Sequence, residues 1–483
     1  MLNKLGHKLG SLWDIKEEFR SKVFLQALTF LFLMACLVIW RPLKYSVFSK
    51  MVGSSYVPVA KLYSLFLLIP LILFYSKMVD WLRRHHLLYW FTIFHGLGGL
   101  FFFYFFSHPV YGIANTNVDV ARYIGWAYFV FMESFNAFLS TSFWAFADSI
   151  NKPKDAQNYY GFIVAGSKVG GIISAGLLYL ALSFMSVSYE ATMIPKIFLI
   201  GSFLLFAAAF MVYLLVKIVP ESKMHGYEGV YQLEKKREKK SRRMSFIQAL
   251  IKPFDGLIIM VKKPYVLGIF ALVFCYETII VIFDYYLQLQ VDQASSSIGS
   301  MTSYYALYYL MLNLVGLAIS LLGTTPILRL FGIRLSLFVF PFFCLITLTI
   351  VLLFPSTWIL FAVAVGLRAV NYAFNHPTRE ILYIPTTKDI KFKAKAWTDA
   401  FGSRIAKSTG SCVNLSMNAL KPAAALFSSM SFCIGMTGLW IVVTFFLGKH
   451  LQHALDNKLI IGQNDENQKN NNPDQKNTNY QTT

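Results

Sequence analysis

The chain has 483 residues, is 56% hydrophobic and 17% aromatic, and has a mean hydropathy of +0.53. That composition excludes an ordinary soluble protein of this size. The formal charge of +20 (44 Lys+Arg against 24 Asp+Glu) would suit nucleic acid, but the basic residues lie mostly in loops between apolar runs. That is the positive-inside pattern of a membrane protein, so the expected partner is a lipid bilayer and not nucleic acid.

Many runs reach the roughly 18–20 apolar residues needed to cross a bilayer, and they are continuous, unlike the alternating pieces of a barrel. The chain is predicted to be an all-α polytopic protein with twelve spans, near 23–45, 56–76, 87–107, 122–147, 159–184 and 193–219. The second set lies near 265–290, 302–322, 335–355, 357–376, 395–418 and 424–447. Basic residues crowd alternate loops: Lys4 to Arg20, Lys77 to Arg84, Lys152 and Lys154, 217–263, Arg329 and Arg334, and Lys388 to Lys395. The intervening loops hold almost none, which predicts that both termini are cytoplasmic. No cleavable signal peptide is expected, because no small-residue cleavage site follows a short apolar run.

Residues 1–22 form a polar N-terminal segment, and 23–219 form the first six-helix half. The stretch 220–263 is a basic linker, YQLEKKREKKSRR (231–243), followed by an expected amphipathic surface helix over 245–263. The second half follows at 264–447, and the Asn/Gln-rich end of 448–483 is expected to be disordered. Twelve spans split six and six by a long loop is the layout of the major facilitator architecture, whose substrate site lies between its halves. SKMVDWLRRHH (76–86) resembles that superfamily's loop motif Gly-x-x-x-Asp-Arg-x-Gly-Arg-Arg. Asp80 and Arg84 match, Ser76 and Arg83 replace the glycines, and Trp81 replaces the first arginine. LRLFGIR (328–334) is a looser echo.

Several spans carry polar stripes. Placed at 100° per residue, Lys393, Arg404, Lys407, Ser411 and Asn414 fall within roughly 80° of one another in span eleven. Span four aligns Glu133, Asn136, Ser140, Trp144 and Asp148, and span five aligns Lys168 with Gly161, Ala165, Gly171 and Ala175. Span seven aligns Glu277, Asp284 and Gln288, and span ten aligns Arg368, Asn371, Asn375 and Arg379. Span one ends in Arg41 and Lys44 beside Pro42, an expected break in the helix. Charges inside a membrane are costly, so they either pair structurally or line a path or a site. Cations outnumber acids here, and unneutralised cations in a low-dielectric cavity call for an anion. The stripes therefore point to a basic cavity for an anionic or phosphorylated solute, the usual partner of Arg forks and Lys point charges.

Other chemistries find little support. Cys36, Cys275, Cys344, Cys412 and Cys433 are odd in number and lack paired spacing, which argues against a disulfide frame or a zinc site. GFIVAGSK (161–168) and GSRIAKST (402–409) look like phosphate loops, but the first has Ser before Lys, the second lacks the Gly, and both lie in helices. His95 lies in an apolar run and reads as packing. No enzymatic constellation, cofactor or metal is expected.

The motifs carry a resemblance to a family. The chain resembles the ATP:ADP antiporters of plastids and obligate intracellular bacteria over most of 20–447. The similarity is clearest in WRPLKYSVFSKMVGSSYVPVAKLYSLFLLIP (40–70), FWAFADSINKPKDAQNYYGFIVAGSKVGG (143–171) and PTREILYIPTTKDIKFKAKAWTDAFGSRIAKSTGS (377–411). The resemblance implies ATP/ADP exchange, or movement of other nucleotides, sometimes with protons. It implies that the family's important charges fall on Lys44, Glu133, Asp284 (Glu277 as the alternative), Lys393, Lys395 and Lys407. With the cations of the polar stripes, the expected substrate-binding set is Lys44, Glu133, Lys168, Asp284, Arg368, Arg379, Lys393, Lys395, Arg404 and Lys407. Glu133 and Asp284 are expected to pair with cations when the site is empty, and Trp144 or Tyr285 to stack a base.

The chain departs from the family pattern in three places. Arg41-Pro42 stands where the family has Arg-Asp, Asp284 where it usually has Glu, and Lys168 where an uncharged residue is expected. The alternatives are a proton-coupled porter of another phosphorylated or anionic metabolite, and a non-transporting membrane scaffold or sensor. A monomer in a bacterial inner membrane is expected.

Overall fold

The computed structural model describes residues 17–82, 84–151, 153–220, 255–322, 324–383, 385–387, 390, 394–457 and 461–462. Each of the twelve predicted spans is helical. They are α1 (Glu17–Met51), α2 (Val57–Trp81), α3 (Arg84–Ser107), α4 (Tyr123–Ile150), α5 (Pro153–Ser183) and α6 (Val187–Ile218). Then come α7 (Pro264–Ala294), α8 (Ile298–Leu322), α9 (Thr324–Leu353), α10 (Thr357–Val370), α11 (Ser403–Met417) and α12 (Pro422–Asp456). Among the described residues ten helical segments are long and apolar enough to cross a membrane. The two outside that set, α4 and α11, are among those that carry polar stripes.

Two local differences from the sequence reading have simple causes. The first helix runs unbroken through Pro42. A proline costs a helix one hydrogen bond, and inside a bundle neighbours and hydroxyls compensate; here Ser46 Oγ donates to the Pro42 carbonyl (3.1 Å). The last helix continues past 447 to Asp456, because HLQHALD keeps helix-forming residues. Beyond it, Ile461 pairs with 385–387 through Thr387 N–H to Ile461 O (3.2 Å) and Ile461 N–H to Pro385 O (2.7 Å). The linker's expected surface helix is described only over Asp255–Lys262; the rest of 221–254 and the end 463–483 lie outside the described residues.

The chain forms two compact units. The first comprises Met1–Arg243 with Gln288–Leu314, the second Met244–Leu287 with Val315–Thr483. The boundary therefore does not follow the linker alone: the end of α7 and the start of α8 belong with the first six helices.

In the first unit α1 is the central helix, packed on α4, α5 and α6. Two glycines allow this. A Cβ at Gly170 would stand 2.5 Å from the Leu31 carbonyl oxygen, and one at Gly166 would stand 2.9 Å from that of Ala27. Small residues four apart let membrane helices meet backbone to backbone, where dispersion replaces the missing hydrophobic drive. Higher up, the fully buried Trp40 lies against Gly99 and Gly201, whose Cβ atoms would fall 2.5 and 2.1 Å from its ring. Phe131, Phe135 and Phe198 surround the same indole.

The α7–α8 connection is held to this unit by polar contacts. Lys50 pairs with Asp292 (2.8 Å) and donates to the carbonyls of Asp292 and Ser295. Gln288 Nε2 donates to Ser49 Oγ (2.9 Å). The Glu190 carboxylate accepts the Ser297 hydroxyl (2.5 Å) and the Gly299 N–H (3.0 Å), capping the first turn of α8 from another helix.

In the second unit α9 packs on α10 and α12, and α11 packs on α12. Tyr276, Phe340 and Trp440 form an aromatic cluster. The face of α11 rests on α7: Asn414 Nδ2 donates to the Val281 carbonyl (3.2 Å), Thr278 Oγ1 donates to that of Ala406 (3.2 Å), and Gly410 sits against Thr278.

Replacing Gly170 by Val forces α1 and α5 apart. Its expected cost is about 1–3 kcal/mol, seen as a lowered melting temperature of the detergent-purified protein. Gly176→Ala, where nothing lies within 4 Å of the new Cβ, is expected to melt like the parent. Equal melting of the two variants would refute the close-approach account.

Candidate functional site

In the first unit the site is built around Lys44. Its side chain is only 3% exposed, and Nζ donates to Glu133 Oε1 at 2.7 Å. The ammonium also lies 4.3 Å from the centroid of Tyr45 and 4.8 Å from that of Phe129. An ion buried this deeply needs a counter-charge, and aromatic faces add further attraction. Lys168 stands on α5, half-buried, with Nζ donating to Asn313 Oδ1 at 3.3 Å. Arg41 lies over the ring of Tyr309, 5.1 Å from its centroid.

In the second unit both acids of α7 pair with cations from other helices. Asp284 accepts Arg368 of α10 in a close ion pair. Glu277 stands 3.6 Å from Lys407 of α11, whose side chain is more than half exposed. Lys395 pairs with Glu380 at 2.5 Å, with each side chain about one-third exposed. Arg379 is buried and Arg404 half-buried. Lys393 lies outside the described residues.

A π-turn at Thr398–Gly402 interrupts the approach to α11, and another at Asn371–Asn375 follows α10. Arg404, Lys407, Ser411 and Asn414 lie together on the regular helix α11; Ser411 and Asn414 are buried, and Asn414 is engaged by α7. Asn375 donates to Asn371 one turn back (2.8 Å). Glu277 and Asp284 keep to one stripe, while Gln288 contacts Ser49 in the first unit.

Of the two expected base-stacking residues, Trp144 is half-buried and Tyr285 is buried. Trp144 is packed among Phe30, Phe143 and Tyr160, and the hydroxyl of the buried Tyr285 donates to Asn418 Oδ1 (2.7 Å). His95 is a packing residue: it is buried, donates from Nδ1 to the Phe91 carbonyl (2.7 Å) and lies against Phe131 and Phe135. The side chains of Asp148 and of the loop-motif residues Ser76, Asp80, Trp81 and Arg84 lie outside the described residues, as do Arg83 and most of 328–334.

Sequence reading missed Tyr309, Asn313, Lys50, Asp292 and Glu190. Tyr309 and Asn313 are ordinary in composition, and only their i, i+4 spacing on α8 hinted at a shared face. Lys50, Asp292 and Glu190 sit near span ends, where charges are unremarkable.

The pairs differ in burial, and so should their worth. Lys44→Ala removes the buried cation that donates to Glu133 and is expected to lower stability by about 3 kcal/mol. Lys395→Ala, in a pair about one-third exposed, is expected to cost less, about 1 kcal/mol. Thermal unfolding of both purified variants checks this; equal losses would show that burial of the Lys44 pair does not matter.

The sequence pattern of the TLC ATP/ADP transporter family matches residues 114–452. Among curated relatives, ADP,ATP carrier protein 1 of Rickettsia prowazekii (strain Madrid E) is 23% identical, with 93% of this chain and 97% of the relative covered. ADP,ATP carrier protein 2 of Chlamydia pneumoniae is also 23% identical, over 69% of this chain and 67% of its own length. Among solved structures, a D-xylose-proton symporter is similar with a TM-score of 0.59 at 12% identity, covering 89% of this chain and 97% of that one. The nucleoside transporter NupG is similar at 0.53 and 14%, covering 88% and 99%. At such identities the structures speak for the fold, which is of the major facilitator kind. A multi-pass helical membrane protein with buried cross-helix ion pairs, matched by this pattern over most of its length, belongs to the TLC ATP/ADP transporter family.

Proposed function

We propose that this protein exchanges ATP for ADP across a membrane by alternating access, with the phosphates meeting the basic residues of its polar stripes. The observation that carries the reading is the pairing of acids with cations from different helices: Lys44 with Glu133, and Arg368 with Asp284. A phosphate chain is a stronger multivalent partner for a cation than one carboxylate. Substrate arrival therefore displaces the acid from its lysine or arginine, and departure lets the pair re-form. The acids lower the cost of the empty state, and exchange is favoured because each departing nucleotide leaves the cations ready for the next.

In this reading Lys44, Lys168, Arg368, Arg379, Lys393, Lys395, Arg404 and Lys407 bind phosphates in different stages of the cycle. Glu133 and Asp284 are the exchangeable partners. Asp284 is one methylene shorter than Glu, and its ion pair with Arg368 supports its serving in this position. Loop charge supports cytoplasmic termini, the bacterial relatives support a bacterial inner membrane, and one chain carries the whole residue set, as a working monomer requires.

Uptake of labelled ATP into intact bacteria expressing the chain is expected to saturate, to be blocked by excess ADP, and to reverse faster when ADP is added outside. Lys44→Ala and Glu133→Ala are each expected to lose at least tenfold of that uptake while still inserting in the membrane. Normal uptake in both variants would sink the residue assignment. Uptake that follows the proton gradient and ignores external ADP would instead favour a proton-coupled porter.

A further inference from the structure

We propose that Ile461–Gly462 is a strap that fastens the loop between α10 and α11 within the second unit, and that this fastening sets the turnover of the transporter. The fastening itself goes beyond the nucleotide reading. Only its effect on turnover rests on that reading, through Arg379 and Lys395.

The loop follows the short helix His376–Glu380 and ends at the turn Lys395–Trp397. Its two ends are tied by the pair of Lys395 with Glu380 at 2.5 Å. Just inside the first end, Tyr265 Oη of α7 donates to the Leu382 carbonyl at 2.8 Å. Thr386 Oγ1 donates to the Tyr383 carbonyl at 2.7 Å, and Thr386 and Thr387 are both buried. At the other end Lys395–Trp397 packs on the helix Asp255–Lys262, and Thr398 Oγ1 donates to Met260 Sδ at 3.5 Å. Both ends of the loop are therefore anchored on elements of the same unit.

The middle is held by the chain beyond α12. Ile461 forms a parallel bridge with Thr386. Its N–H donates to the Pro385 carbonyl at 2.7 Å, and its carbonyl accepts the Thr387 N–H at 3.2 Å. Such backbone pairing fixes register without any side chain. Gly462 then turns away with a φ of +100°, in the left-handed region that side chains disfavour. A Cβ there would stand 2.9 Å from Ile390 Cδ1 and 2.9 Å from Lys263 Nζ, so the bare backbone lies directly on both. Ile390 is fully buried, and Lys263 Nζ donates to the Gly462 carbonyl at 3.2 Å.

Lys263 stands between the helix Asp255–Lys262 and α7. One glycine thus joins three stretches that the sequence keeps apart: the end of the linker, the α10–α11 loop and the segment after α12. A segment beyond a helix is fixed only where it is tied down. Here a backbone bridge, a turn that needs glycine and a buried isoleucine coincide at one point, and that coincidence marks a built fastening.

The fastening bears on transport because Arg379 and Lys395 flank the loop. A loop held at its middle returns both cations to the same place after each cycle. An unfastened loop regains backbone freedom, which must be lost again each time. Loop rearrangements of this kind set turnover more than affinity. Ile461 and Gly462 are positioning residues: they touch the loop and not the substrate.

The test uses the purified full chain, in detergent and in proteoliposomes. Gly462→Val and Ile461→Pro, which removes the N–H, are compared with Ile461→Val, which keeps the backbone pairing. A chain stopped after Asn457 removes the strap without adding a clash. In hydrogen–deuterium exchange, the peptide containing Thr387 is expected to exchange at least about tenfold faster in Gly462→Val, Ile461→Pro and the stopped chain, and at the wild-type rate in Ile461→Val. In proteoliposomes the same three proteins are expected to lose about fivefold in kcat for ATP/ADP exchange, with KM within about twofold. Wild-type amide exchange in all three would overturn the strap, whatever solute the protein carries. Faster amides with unchanged kcat, or with a raised KM at unchanged kcat, would overturn its effect on turnover. Faster amides in a protein whose wild type moves no nucleotide would keep the strap and refute the nucleotide reading.

Discussion

A lysine ammonium at 3% exposure, 2.7 Å from a carboxylate and between two aromatic rings, is the constraint from which much of this molecule follows. Removing an ion from water costs several kcal/mol, and a single good partner offsets that cost only when the geometry is held. Lys44 is held because α1 is the central helix of its unit, and Glu133 because α4 packs directly on α1. The same logic recurs in the second unit, where Asp284 of α7 meets Arg368 of α10. In each case the partners come from different helices, so the electrostatics depend on how the helices sit.

The packing that fixes these distances is made largely by residues with little or no side chain. Gly166 and Gly170 let α5 approach the backbone of α1, and Gly99 and Gly201 make the slot for Trp40. Between those contacts α1 has little freedom to rotate. Arg41 and Lys44, one turn apart on it, therefore present fixed directions. Polar contacts complete the unit from the other half of the sequence, through Lys50 with Asp292 and through the Glu190 carboxylate at the first turn of α8.

A carrier needs charges that are stable when empty and can still be given to a substrate. In the proposed cycle, pairs such as Lys44–Glu133 supply both properties: strong attraction in a low dielectric, and a cation available to a better anion. The Lys395–Glu380 pair, with each side chain about one-third exposed, is screened more by water.

Local pattern was enough to read the fold class, the twelve helices and the residues costly enough to need an explanation. Apolar run length and loop charge are local properties, legible without neighbours. It also led to Lys44, Glu133 and Asp284, because a charge within an apolar run stands out whatever surrounds it. The tertiary structure decided the partners: that Glu133 serves Lys44, that Arg368 takes Asp284 while Glu277 faces Lys407, and that Lys168 meets an amide. It also decided that Ser411 and Asn414 are buried, with Asn414 bound to α7, and that Trp144 packs on Tyr160 while Tyr285 binds Asn418. Contacts such as Arg41 with Tyr309 join residues far apart in the chain, and no local pattern encodes a distance that only packing sets.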